Sequence, residues 1–309
     1  RFDGKDYFAT DLGLVEVDGE RRRLVSGREL GLPGNGLITV AAIDDGDENT
    51  LWFGSRHGGG RFRDGRRLPF PGDPPAGLRD GIVRVFGRID GASGGERVFV
   101  AGDQGLFFYG AQGWSALESS CLPHPEIYDV RLRRDDGHLD LWLATRAGVL
   151  RVRLDQGRDC RLLGADVLGN PLDYQLLFDR SGRLFLFGYR GVTRLVFADG
   201  PGGDLRRFDL ERDDLDDGLP ALEFNRAAYL DRLGQVWAGT VNGVVVLDPG
   251  EPQGAASPAA LMIDVSGGDG RPLAAGATLD HAAADLDLAI HLRDYNREHR
   301  HRFRSQVLG

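Results

Sequence analysis

Six stretches of this chain repeat one frame: "DYFATDLGLVEV" (6–17), "LWFGSRHGGGRF" (51–62), "VFVAGDQGLFFY" (98–109), "LWLATRAGVLRV" (141–152), "LFLFGYRGVTRL" (184–195) and "VWAGTVNGVVVL" (236–247). The second position is always aromatic: Tyr7, Trp52, Phe99, Trp142, Phe185 and Trp237. Six residues later there is always glycine: Gly13, Gly58, Gly105, Gly148, Gly191 and Gly243. The aromatic residues are 45, 47, 43, 43 and 52 residues apart. Glycine is 46 of 309 residues, so six coincidences have a chance on the order of 10⁻⁵ before allowing for choice of register. A period in the mid-forties, built of strand-forming residues, is the spacing of propeller blades. The fold expected is all-β, a β-propeller with six recognisable blades. No long stretch of 3.6-residue periodicity supports a helix bundle.

Each column has a physical role. A blade is packed between its neighbours, so its inner strands are buried on both faces and read as near-continuous apolar runs. The aromatic residue fills the space between blades. Two positions on stands something small (Ala9, Gly54, Ala101, Ala144, Gly239), which lets sheets approach closely. Phe187 breaks that rule, so the fifth blade should pack differently. The glycine is expected at positive φ, closing a hairpin. Segments such as "LITVAAIDDGDENT" (37–50), "IVRVFGRID" (82–90), "IYDVRLRRDDG" (127–137), "QLLFDRSG" (175–182) and "RAAYLDRLG" (226–234) read as preceding strands that run into Asp/Gly turns. "RRLPF" (66–70), "CRLLG" (160–164) and "LRRFDL" (205–210) suit outer strands.

A net charge of −9 argues against broad nucleic-acid binding. No apolar run is long enough to span a bilayer, and no signal peptide is visible. The chain begins without Met and reads as a piece of something longer. Cys121 and Cys160 match no metal spacing, and two thiols make no disulfide framework, so either redox compartment stays open.

These units resemble the two-component regulator propeller repeats. "GLPGNGLITVAAIDDGDENTLWFGSRHGG" (31–59) follows most of that pattern, and "GLPALEFNRAAYLDRLGQVWAGTVNGVVVLDPG" (218–250) looks like a last blade. The resemblance implies a propeller over 1–250, a linker over 251–258, and the truncated start of an Ig-like three-Tyr domain over 259–309. "FRSQVLG" (303–309) partly matches that domain's hallmark: Phe303 and Gly309 agree, Ser305 replaces an aromatic, and Tyr295 fits an earlier one. Family propellers are usually seven-bladed. Six aromatic strands, the first with no inner strand before it, imply a truncated ring missing at least part of an N-terminal blade. The resemblance further implies the periplasmic sensor of a bacterial receptor, homodimeric when whole. Its membrane helix and kinase or diguanylate cyclase would lie downstream.

Candidate chemistry concentrates in the pairs just before each hairpin glycine, because a propeller gathers such loops on one face and they vary on a constant frame. Arg56, Arg146 and Arg190 could hold an acidic ligand bidentately. His57, Tyr189 and Asn242 would suit a sugar. Asp103 and Gln104 complete the set, and ordinary solvated loop tips are the competing reading. The acids of "DDGDEN" (44–49) lack the alternation of a calcium loop and read as a solvated turn, and "DLERDDLDDG" (209–218) as a charged outer edge. "REHRHRFR" (297–304) alternates like one wet strand face. No G-x-S-x-G, H-E-x-x-H, C-x-x-C or phosphate-loop pattern occurs. No catalytic residue, metal or cofactor is therefore expected. The function expected is ligand sensing, for an unknown small molecule or oligosaccharide, without catalysis. The alternatives are a propeller enzyme acting on polysaccharide and a stand-alone protein-binding propeller.

Overall fold

A computed structural model describes residues 1–44, 49–89, 97–118, 120–135, 137–154, 159–169, 173–201, 203–205, 207–247, 260–267, 270–273 and 286–293. Each aromatic strand turns back at its glycine, and all six glycines have positive φ, from 85° at Gly58 to 135° at Gly243. At Gly148 the constraint is doubled. A Cβ there would come within 2.1 Å of the Leu163 carbonyl oxygen of the outer strand. A hydroxyl stiffens four of the turns. Thr10, Ser55, Thr145 and Thr240 each donate to the carbonyl of the hairpin glycine at 2.8–3.0 Å.

The hairpins assemble six antiparallel sheets. Blade 1 comprises β1 (Asp6–Thr10), β2 (Gly13–Asp18) and β3 (Arg21–Val25). Blade 2 comprises β4 (Leu37–Asp44), β5 (Asn49–Ser55), β6 (Gly58–Arg63) and β7 (Arg66–Leu68). Blade 3 holds β8 (Val83–Ile89), β9 (Arg97–Gly102), β10 (Gly105–Gly110) and β11 (Gly113–Ala116). Blade 4 holds β12 (Ile127–Asp135), β13 (His138–Thr145), β14 (Gly148–Arg153) and β15 (Cys160–Leu163). Blade 5 holds β16 (Asp173–Phe178), β17 (Leu184–Gly188), β18 (Gly191–Phe197) and β19 (Phe208–Asp213). Blade 6 has β20 (Phe224–Leu230), β21 (Val236–Thr240) and β22 (Gly243–Leu247). Blade 1 thus begins at its aromatic strand, and blade 6 has no described outer strand.

Five apolar clusters join successive blades. Leu37 and Phe53 meet Tyr7 and Ala9 between blades 1 and 2. Trp52 lies with Phe86 and Val100 between blades 2 and 3. Phe99 meets Ile127 and Leu141 between blades 3 and 4, and Trp142 meets Leu176 and Leu186 between blades 4 and 5. Phe185 and Phe187 meet Phe224 between blades 5 and 6. Phe187, where other blades carry a small residue, fills that last space with its ring 5.4 Å from Phe224. The array is a β-propeller. Its two end faces differ from its interior. Trp237 is 42% exposed, whereas Trp52 and Trp142 are fully buried. Phe8 is 53% exposed, whereas Phe53, Val100, Leu143 and Leu186 at the equivalent position are fully buried.

The chain divides into two compact units, Arg1–Asp248 and Pro249–Gly309. In the second, β23 (Ala260–Gly267) pairs antiparallel with β24 (Leu286–Arg293). Residues 251–258, Tyr295, Phe303, Ser305, Gly309 and the basic run 297–304 lie outside the described residues, as does most of the acidic turn 44–49. The acidic stretch 209–218 is only partly an outer edge. Phe208–Asp213 forms β19, and then Asp214 caps a short helical turn, Leu215–Asp217, through a reciprocal bond with Asp217.

A candidate ligand-binding mouth at the propeller axis

Every described inner strand carries a bulge near its first residue. The register shifts between Leu37 and Thr39, Val83 and Val85, Ile127 and Asp129, Asp173 and Gln175, and Phe224 and Ala228. Bulges re-aim side chains, and here they do so at the end of the inner strands that carries the hairpin loops. The residues so displaced are Ile38, Arg84, Tyr128 and Tyr174, with Asn225, Arg226 and Ala227 in the wider last bulge. Arg226 takes a positive φ of 23°, a backbone strain of the kind that collects at functional sites.

Four of these residues, Arg84, Tyr128, Tyr174 and Arg226, are linked by contacts across the inner strands. The Arg84 guanidinium lies 5.3 Å from the centre of the Tyr128 ring. Tyr128 meets Tyr174 edge to face at 5.5 Å, and Tyr174 meets the hairpin residue Tyr189 at 5.0 Å. Arg226 crosses from blade 6 to blade 3, where its Nη2 donates to the Arg84 carbonyl at 3.3 Å. Arg84 in turn reaches Glu126 at 3.4 Å, and Glu126 also faces Arg146 at 3.6 Å. Burial, reinforced by Glu126, pushes the Tyr128 hydroxyl pKa up. Burial and the hydrogen bond with Tyr189 do the same for Tyr174. Both phenols therefore stay protonated near neutral pH and can donate.

In blades 4 and 5 the next position of the inner strand, Asp129 and Gln175, holds the neighbouring blade. Asp129 accepts from Leu176 N at 2.9 Å and pairs with Arg131 at 3.0 Å, while Arg131 donates to the Leu176 carbonyl at 2.7 Å. Burial raises the Asp129 carboxyl pKa against the pull of Arg131 and the Leu176 N–H. Burial lowers that of Arg226, with Asp129 opposing.

Of the eight hairpin candidates, Arg146 and Tyr189 join this mouth. Asp103 instead caps the entry to β8, accepting from Ile82 N at 2.8 Å. Asn242 donates to the Pro220 carbonyl at 3.3 Å. Gln104 lies over Gly77, where an added Cβ would come within 2.5 Å of its own. Arg56, His57 and Arg190 are exposed on their separate loops. Reading the loops alone missed Arg84, Tyr128, Tyr174 and Arg226. No local sequence signal marks them, because the column they share is set by the register between two strands.

Two further features matter. Cys121, before blade 4, and Cys160, on that blade's outer strand, form a disulfide across 39 residues of sequence, with Cα atoms 5.5 Å apart. The chain therefore has a covalent staple that its cysteine spacing did not reveal. A cleft of about 660 Å³ at the rim of blades 4 and 5 is lined by Arg151, Asp159 and Leu205. Arg151 is committed there to the Pro201 and Gly203 carbonyls, so the cleft is bounded by structural bonds. Among the described residues, no group of three or more His, Cys, Asp or Glu could hold a metal, and no helix is long and apolar enough to cross a membrane.

Fold and site together define a class: a β-propeller with aromatic and cationic side chains gathered at the hairpin end of its inner strands. No family model and no curated protein matches the chain. Among solved structures it is similar to PorZ, a bacterial surface component of the type-IX secretion system of Porphyromonas gingivalis. That likeness has 12% identity and a TM-score of 0.55, and covers 94% of this chain and 50% of PorZ. It is also similar to the extracellular domain of a proposed hybrid two-component system from B. thetaiotaomicron, with 14% identity and a TM-score of 0.47, over 96% of this chain and 46% of that one. An ancestral GH74 enzyme aligns at 15% identity and a TM-score of 0.41, over 78% of this chain and 42% of the enzyme. The chain spans about half the length of the first two structures. At such identities the likeness to PorZ concerns the fold.

Proposed function

We propose that this chain is the ligand-sensing region of an extracytoplasmic bacterial receptor and binds a small molecule or oligosaccharide at the axial mouth without turning it over. The observation that carries the reading is the shared bulge, which displaces Arg84, Tyr128, Tyr174 and Arg226 from the ladder at the same end of their inner strands, on a rigid frame. The repeat resemblance supplies the receptor setting: a relay through the second unit to a downstream membrane helix and cytoplasmic kinase or cyclase, in a homodimer. The Cys121–Cys160 disulfide suits an oxidising compartment such as the periplasm. A further blade, as in a seven-bladed ring, would cover the exposed faces of Phe8 and Trp237.

The test is calorimetric titration of the purified chain with soluble oligosaccharides and small metabolites, beside a Tyr174→Ala variant. Binding that the variant weakens about tenfold, with no new product by chromatography, supports the reading, since one ring contact of this kind is worth on the order of 1 kcal/mol. Binding indifferent to Tyr174, or turnover of a bound polysaccharide, overturns it.

A further inference from the structure

The charges at the mouth do not balance. Arg84 and Arg146 share Glu126, and Arg131 is paired with Asp129. Glu223 acts on Tyr174 from the blade 6 side. Arg226 alone has no carboxylate within ion-pair distance among the described residues. The acid whose charge acts on it, Asp129, is already engaged by Arg131 and Leu176 N. Among the described residues Arg226 makes one hydrogen bond, to the Arg84 carbonyl, while a guanidinium offers five N–H donors in a planar fork. The side chain is half-buried, and the charges of Arg84 and Arg131 act against its own. A half-buried charge with no carboxylate beside it is costly. The Arg226 backbone is held at a strained φ of 23°. Arg84, whose carbonyl Arg226 reaches, lies over Tyr128, the first of a tyrosine row that ends in Tyr189, 46% exposed.

We infer that the mouth takes a ring-bearing carboxylate, its anion on the Arg226 fork and its ring face against the Tyr128–Tyr174–Tyr189 row. This rests on the reading of the mouth as the ligand site and adds the class of ligand. Two fork bonds to a carboxylate give both charge and planar complementarity, and a ring, sugar or aromatic, supplies a face for the tyrosines. An acidic sugar and an aromatic acid share that chemistry.

Four probes separate these possibilities: trigalacturonate and its methyl ester, and 4-hydroxybenzoate and its methyl ester. Esterification removes the charge and keeps the ring. Titrated into the purified chain, at least one acid should bind about tenfold or more tighter than its ester, and the acid that binds names the source. Arg226→Gln should abolish that preference and Arg226→Lys should retain part of it. Tyr174→Ala should weaken acid and ester alike. Melting temperatures of the three variants, and the weakening of acid binding by salt, separate a lost site from a lost fold. If esters bind as well as acids while Tyr174→Ala still weakens both, the charge assignment fails and the mouth survives. Binding indifferent to Tyr174 defeats the mouth itself. Absence of binding by all four probes to the folded chain overturns the inference.

Discussion

Gln175 holds Ala228 by both of its backbone groups: Nε2 donates to the Ala228 carbonyl at 3.1 Å, and Oε1 accepts from the Ala228 N–H at 2.7 Å. One side-chain amide thus stands in for a strand partner between the inner strands of blades 5 and 6. Gln175 is buried, so removing it strands two polar groups beside the axis. Gln175→Ala should cost about 1–3 kcal/mol and speed hydrogen exchange at the Ala228 amide. Gln175→Glu should do no better, because it keeps the acceptor for the N–H and turns a second acceptor on the carbonyl. Urea unfolding and exchange of that amide check both. An unchanged midpoint in the alanine variant would show that blade 6 is held by Phe224 and its neighbours alone.

Trp142 separates frame from loop tip. It is fully buried, with rings of Phe178 and Phe197 at 5.4 and 5.5 Å. Its indole N–H has no acceptor among the described residues. Trp142→Ala should therefore destabilise by about 3–5 kcal/mol. Trp142→Phe should cost far less, on the order of 1–2 kcal/mol, since it leaves a smaller void and removes an unsatisfied donor. Arg146, four residues on, has an exposed side chain and a long pair with Glu126, worth under about 1 kcal/mol. Arg146→Ala should leave thermal unfolding nearly untouched. Equal losses in Trp142→Ala and Arg146→Ala would defeat the division.

What could be read ahead follows from what each repeat enforces by itself. The aromatic wedge and the glycine recur because every hairpin meets the same sterics, so Trp52, Trp142, Gly58 and Gly148 announce themselves one at a time. Phe187 was legible as an exception for the same reason. The bulge column was not. A bulge is a relation between two strands, and nothing local distinguishes Tyr128 or Tyr174 from a neighbouring strand residue until the register is known. Arg226 is harder still, since its partner is 142 residues away in sequence. Trp237 carries the sequence mark of a buried wedge, but burial needs a neighbour on both faces, and it has one.

The Cys121–Cys160 bond was also invisible to spacing, because it depends on where the entry to blade 4 passes its outer strand. Its 39-residue separation corresponds to roughly 4 kcal/mol of lost unfolded-state entropy in the chain-entropy account. Reduction, or a Cys121→Ala/Cys160→Ala double variant, should lower the melting temperature by several degrees, while single cysteine variants should do so without any added effect of reductant. Differential scanning calorimetry with and without reductant measures this. Indifference of the native chain to reductant would mean that the bridge does not form, and would remove the structural support for an oxidising compartment.

Asp129 predicts a pH dependence of definite sign. Burial lifts its folded pKa above the 3.8 of an unfolded aspartate, despite Arg131 and the Leu176 N–H. Between those two values the folded chain holds a proton that the unfolded chain releases. The stability tied to this group is therefore fully present below the unfolded value and is lost as pH rises through the folded one. Asp129→Asn can still accept from Leu176 N and does not titrate. Exchanging the neutral acid for the amide sets an offset that does not vary with pH, while the attraction to Arg131 is already contained in the folded pKa of Asp129. Because of that offset the informative quantity is the slope: the stability of the variant minus that of the native chain should increase from about pH 4 to about pH 7, as read from urea midpoints. A flat difference would mean that Asp129 titrates alike in both states. A falling one would mean that Arg131 and the backbone outweigh burial, and that the inner strands of blades 4 and 5 are held by a fully ionised pair.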